Sequence, residues 1–154
     1  TDQLLDEVIA ESLRHISRKH DEYTIVTKCE ELILVRMDVQ LIIQVLVNLI
    51  DNAIKYTPKG SKICIRGMKC NGKAQICVED NGPGIADEMK PYIFEMFYTG
   101  KSTIADSQRS LGLGLSLCQS IIEAHDGRLL LTDNTPRGCI FTFTLPLSEV
   151  TLNE

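Results

Sequence analysis

No apolar run in this 154-residue chain approaches the length of a membrane span, and no signal-peptide pattern is present. A soluble, cytoplasmic chain is the expectation. No basic stripe is evident and the net charge is −5, which argues against direct nucleic-acid binding. Cys29, Cys64, Cys70, Cys77, Cys118 and Cys139 lack zinc-ligand spacing and mostly fall inside apolar strand or helix patterns. They read as reduced core thiols of a cytosolic protein rather than as a disulfide framework. The apolar, charged and glycine content is ordinary, and the length suits one domain with a single sizeable core.

What is present begins with two asparagines four residues apart, in Asn48-Leu49-Ile50-Asp51-Asn52-Ala53-Ile54-Lys55-Tyr56-Thr57-Pro58. In a helix Asn48, Asn52 and Lys55 share one face, while Leu41, Ile42, Val45, Leu46, Leu49, Ile50 and Ala53 form the apolar stripe of an element packed on a core. Carboxamide oxygens are neutral hard ligands for Mg²⁺, a cation held mainly by phosphate oxygens and water. Two asparagines and a lysine therefore suit a metal-triphosphate, whereas a single asparagine would read as the solvated side of a half-buried helix.

Some two dozen residues on, Asp80-Asn81-Gly82-Pro83-Gly84-Ile85 follows the strand-like run Ala74-Gln75-Ile76-Cys77-Val78-Glu79. A carboxylate at a strand end can accept from an exocyclic amine, and glycines let the backbone approach a flat ring. The same residues would also make an ordinary turn. Later, Ser110-Leu111-Gly112-Leu113-Gly114-Leu115-Ser116-Leu117 opens an apolar periodic stretch that reads as a helix ending at Gly127. Its start would offer backbone N–H groups to an anion, with close helix packing as the plain alternative.

Taken together and in this order, these elements resemble the catalytic and ATP-binding domain of sensor histidine kinases. These belong to the superfamily that also holds type II topoisomerases, MutL-type repair proteins and Bergerat-fold chaperones. The resemblance spans about Val35 to Pro146. Asn48 to Pro58 matches the N box, Asp80 to Ile85 the first glycine box, Phe94-Glu95-Met96-Phe97-Tyr98 the F box, and Gly112-Leu113-Gly114-Leu115 the second glycine box. The wording of the N box, with Cys118 and Ile122-Glu123-Ala124-His125, looks most like the KdpD type of potassium-responsive, membrane-anchored kinase.

The resemblance implies roles. Asn52 would ligate Mg²⁺ directly and Asn48 directly or through water; Lys55 would meet phosphate, completing the catalytic set, and Tyr56 would border the nucleotide. Asp80 would bond the adenine amino group, with Gly82, Gly84 and Ile85 lining the base. Gly112, Leu113, Gly114 and Leu115 would pass the phosphates at the base of a mobile lid. The polar, aperiodic segment at about 99–111 reads as that ATP lid. The family often has a basic residue where this chain has Thr99, and Gly-Thr where it has Ser110-Leu111; Lys101 is the expected substitute cation.

In such kinases ATP with Mg²⁺ supplies a γ-phosphoryl group to a histidine on a separate helical hairpin, and an aspartate of a response regulator then receives it. His15, His20 and His125 read as structural or solvated, His125 lying at a helix C-terminus where a cation is favoured. The acceptor is therefore expected outside this chain. The expected organisation is a helix at residues 1–20 leading from a dimerisation hairpin, then the catalytic domain at 21–154. The chain alone is expected to be monomeric and the intact protein a homodimer anchored in the membrane. The fold expectation is α+β, a two-layer sandwich with helices on one face of a mixed β-sheet. Two other readings stand beside this one: an ATP-hydrolysing conformational clamp of the same superfamily, and a degenerate nucleotide-binding module.

Overall fold

The computed structural model describes residues 2–16, 22–29, 31–55, 57–94 and 105–148, and for residues 105–113 the backbone alone. The chain opens with strand β1 (Asp2–Leu4) and helix α1 (Leu5–Arg14), then β2 (Thr24–Lys28), β3 (Leu34–Arg36), α2 (Val39–Lys55), β4 (Lys62–Cys70) and β5 (Lys73–Asp80). A 3₁₀ turn (Asp87–Tyr92), α3 (Ala105–Ala124), β6 (Leu129–Asp133) and β7 (Cys139–Pro146) complete it. Five strands form one mixed sheet in the order β2-β4-β5-β7-β6, with β2 parallel to β4 and the other pairs antiparallel. The helices pack on one face, so the expected two-layer α+β sandwich is what the chain forms.

Local chemistry explains most of these elements. Asp38 caps α2, its Oδ1 accepting from Leu41 N–H at 3.3 Å while its carbonyl accepts from Ile42 N–H. The α2 stripe is Ile42, Val45, Leu46, Leu49, Ile50, Ala53 and Ile54, all buried. Leu41, expected in the stripe, is 38% exposed, because it falls at the edge of the face that Ile54 completes. Between β4 and β5 the turn residues Asn71 and Gly72 have φ of 54° and 78°, the left-handed pair that a tight hairpin requires. Along β5 and β7 the inward residues Ala74, Ile76, Val78, Phe141, Phe143 and Leu145 alternate with Gln75, Glu79, Thr142 and Thr144, the period of a half-buried strand.

Three expectations change. Residues 2–4 are a strand paired with β3, and α1 covers only Leu5–Arg14 where a helix at residues 1–20 was expected; His20 lies outside the described residues. Leu5, Val8 and Ile9 are buried in the main core, so residues 2–14 belong to it and are not a separate leading helix. Finally, α3 begins at Ala105, so 105–111 is helical where an aperiodic lid was expected, and Gly112 lies within a helix rather than at its start. Residues 99–104 lie outside the described residues. All six cysteines are free thiols, and no described helix is long and apolar enough to cross a membrane.

His15 is exposed, as expected of a solvated side chain, and Glu11, one turn back, lies 2.9 Å from its Nε2. His125 has a clear structural role. Its Nε2 accepts from Asp38 N–H at 3.0 Å and its Nδ1 faces Ile121 O at 2.8 Å, so Nδ1 carries the hydrogen. The ring ties the start of α2 to the end of α3.

Candidate nucleotide site

The last turn of α2 is held by its surroundings. Tyr23 Oη lies 2.9 Å from both Ile54 O and Thr57 O, serving carbonyls that a helix end leaves without partners. Thr57 Oγ1 donates to Ala53 O at 2.6 Å, fixing the Thr57 side chain. Its methyl therefore points at Gly82, where an added Cβ would lie 2.4 Å from Thr57 Cγ2. The two boxes read separately in the sequence thus meet wall to wall.

Asp80 ends β5 and is 8% exposed. Its Oδ1 accepts from Gly82 N–H at 2.9 Å and from Cys139 N–H at 3.3 Å. Burial pushes the Asp80 carboxyl above the ordinary carboxylate value, and those two N–H groups pull against it. The backbone behind it is equally fixed. Asn134 Nδ2 donates to Asp80 O at 2.8 Å, Asn81 Oδ1 accepts from Lys62 N–H at 2.9 Å, and Gly138 passes so close that a Cβ would sit 1.9 Å from Asp80 O. Gly138 adopts φ 113°, which a side chain would strain. Lys90 secures the following loop, donating to Ile85 O at 3.0 Å while pairing with Asp87 and Asp133.

These elements enclose a cavity of about 290 Å³. Of the expected residues, Asn52, Asp80, Gly84, Ile85 and Leu115 line it together. Gly82 stands behind, bracing Asp80. Asn48, Lys55 and Gly114 are not in the lining; Asn48 packs one turn back, where a Cβ on Gly114 would come 3.6 Å from its Cγ. Gly112 and Leu113 lie in α3, and Tyr56 and Lys101 fall outside the described residues, as do residues 95–98 of the F box. Phe94 is described, its ring edge-on to Phe141 at 6.2 Å.

Further lining comes from Ala53, Thr57, Pro83, Ile93, Cys139 and Phe141. Thr57 and Pro83 stand inside the quoted boxes, but Cys139 and Phe141 sit on a strand whose alternation signals only burial. The Cys139 thiol is pushed up to about 11, first by burial and then by the nearby Asp80 and Asp133 charges, so it stays protonated. Apolar walls with one carboxylate and one carboxamide suit a flat heteroaromatic ring carrying an exocyclic amine. As for a cation, no cluster of three His, Cys, Asp or Glu ligands exists among the described residues. The asparagine donors therefore fit Mg²⁺ arriving with phosphate oxygens, not one caged by protein.

A fold of this topology, with a braced carboxylate facing an apolar cavity beside an asparagine-bearing helix, is an ATPase-type nucleotide domain. The family described as histidine kinase-, DNA gyrase B- and HSP90-like ATPase matches residues 37–149, and the chain belongs to it. Sensor protein KdpD of Clostridium acetobutylicum is 40% identical over 145 residues, which are 94% of this chain and 16% of that protein. Adaptive-response sensory kinase SasA of a Nostoc species is 43% identical over 119 residues, 77% of this chain and 29% of that one. The chain thus spans under a third of these relatives. Among solved structures, the catalytic domain of histidine kinase ThkA is 32% identical with a TM-score of 0.82, covering 95% of this chain and 96% of that one. ThkA in complex with response regulator protein TrrA matches at 32% identity and TM-score 0.78, over 96% of this chain and 42% of that one.

Proposed function

We propose that this chain is the catalytic domain of a two-component sensor histidine kinase, which binds Mg²⁺-ATP and passes the γ-phosphoryl group to a histidine on an adjoining dimerisation domain. The observation that carries the reading is the buried Asp80 carboxylate, held on Oδ1 by two backbone N–H groups and lining an apolar cavity beside Asn52. Its carboxylate accepts from the adenine amino group, and Gly84, Ile85, Leu115 and Phe141 flank the base. Asn52 and Asn48 hold Mg²⁺, which when bound offsets phosphate charge. Lys55 and Lys101 meet phosphate, Tyr56 borders the nucleotide, and Gly112, Leu113 and Gly114 stand by the phosphates. Positioning and charge neutralisation are most of what phosphoryl transfer asks of a protein.

The similarity to KdpD over 94% of this chain and to SasA over 77% of it, together with the ThkA–TrrA complex, supports a phosphorelay ending on a response regulator. By the same reading the intact protein is a membrane-anchored homodimer of the KdpD type, joined to this domain through the chain ahead of β1. Titration of Mg²⁺-ATP by calorimetry tests the site. Binding to the parent, with large losses in Asn52→Ala and Asp80→Asn, is expected; the same affinity in all three would sink it. Labelled phosphate appearing on an added histidine hairpin then distinguishes a kinase from a clamp, which would release free phosphate.

A further inference from the structure

Asn48 is the one proposed Mg²⁺ ligand that does not line the cavity, and its neighbour on α3 is Cys118. That thiol is fully buried and lies 3.8 Å from Val45 O and 3.8 Å from Asn48 Nδ2. The roles in this short relay are determined. Cys118 has one hydrogen and directs it to the Val45 carbonyl, so toward Asn48 the sulfur is an acceptor, and only the NH₂ end of the carboxamide can face it. Gly114, one turn before Cys118, faces the same carboxamide, and a Cβ there would make only ordinary contact, 3.6–3.8 Å from its atoms.

We infer that Cys118 is a positioning residue for the metal-nucleotide: by accepting from Asn48 Nδ2 while donating to Val45 O, it orients the Asn48 carboxamide so that Oδ1 is the end left for the cation. This rests on the reading that Asn48 and Asn52 serve the Mg²⁺ of bound ATP, and adds the device that sets which end of Asn48 is presented. Without the sulfur the amide can turn over and offer NH₂, a donor that repels a cation.

The test is the ratio of ATP dissociation constants measured by calorimetry in EDTA and in saturating Mg²⁺. Cys118→Val keeps an apolar side chain of similar size but has neither hydrogen-bonding role; Cys118→Ser keeps both. In Cys118→Val the Mg²⁺ advantage is expected to fall about tenfold, the low end for a group supporting a metal ligand. Affinity in EDTA should stay within about twofold of the parent, as follows if packing is preserved. Cys118→Ser should recover most of the advantage, Cys118→Ala should repeat the loss if the valine does not fold, and Cys118→Val should add nothing in an Asn48→Ala background. An unchanged Mg²⁺ advantage in Cys118→Val, or equal weakening with and without Mg²⁺, overturns this inference alone. Absence of ATP binding to the parent overturns the nucleotide reading and this inference with it.

Discussion

Gly82→Ala paired with Thr57→Ser tests whether the two boxes meet as described. The new Cβ would stand 2.4 Å from Thr57 Cγ2, 3.1 Å from Thr57 Cβ and 3.2 Å from Asp80 Oδ1. The first contact is more than 1 Å inside the separation at which carbon atoms attract. Thr57 cannot swing away freely, because its Oγ1 is bound to Ala53 O and the residue is 8% exposed. Overpacking of this kind costs about 2 kcal/mol, and deleting one buried methyl by Thr57→Ser about 1 kcal/mol. Independent effects would sum to about 3 kcal/mol, but Thr57→Ser removes the offending atom, so the double variant should lose only about 1–1.5 kcal/mol.

The assay is equilibrium urea unfolding followed by far-UV circular dichroism, suited to a chain without tryptophan. In melting terms the single Gly82→Ala shift would be about 4–8 °C for a domain of this length. ATP affinity should fall in Gly82→Ala, whose methyl also presses on Asp80, and return in part in the double variant. Losses that add to within about 0.5 kcal/mol would refute the contact.

Three other outcomes follow from the same geometry. The buried Asp80 carboxyl keeps its proton to higher pH when folded than when unfolded, so its effect on stability worsens as pH rises from the ordinary value near 3.8 through the raised one. Asp80→Asn should therefore match or exceed the parent's urea midpoint at pH 7, gain nothing near pH 3, and lose nucleotide binding; a lower midpoint at pH 7 would contradict the desolvation argument. Gly138→Ala, with its φ of 113° and a Cβ 1.9 Å from Asp80 O, should cost at least about 3 kcal/mol and abolish ATP binding, and retention of both would mean the loop does not sit there. His125→Ala should cost about 1 kcal/mol through the hydrogen bonds to Asp38 and Ile121. Because Asp38 and Asn52 are about 20 Å apart along α2, ATP affinity should not change in that variant, and a large change would show coupling between the helix ends.

The features legible in the sequence are those decided within a few residues. The Asp38 cap, the α2 stripe, the Asn71-Gly72 turn and the alternation of β5 and β7 each follow from local hydrogen bonding, left-handed backbone or side-chain period. Asn52, Asp80, Gly84, Ile85 and Leu115 were legible as a set only through the family resemblance that their boxes carry, and they do converge on one cavity. The extent of α3 was not legible, since 105–111 carries no apolar period to mark a helix start. Neither was β1, because three residues cannot display a period and their partner β3 lies some thirty residues away.

By itself, then, the sequence determined the α2 helix, the β4–β5 hairpin, the half-buried strands β5 and β7, and the order of the motifs, because side-chain period, capping and motif order are properties of the chain alone. Only the tertiary structure decided that Thr57 abuts Gly82, that Cys139 N–H braces Asp80 from a strand 59 residues away, and that Cys118 faces Asn48 across two helices. Those contacts depend on how the helix layer settles on the sheet, and that placement is set by the whole core at once.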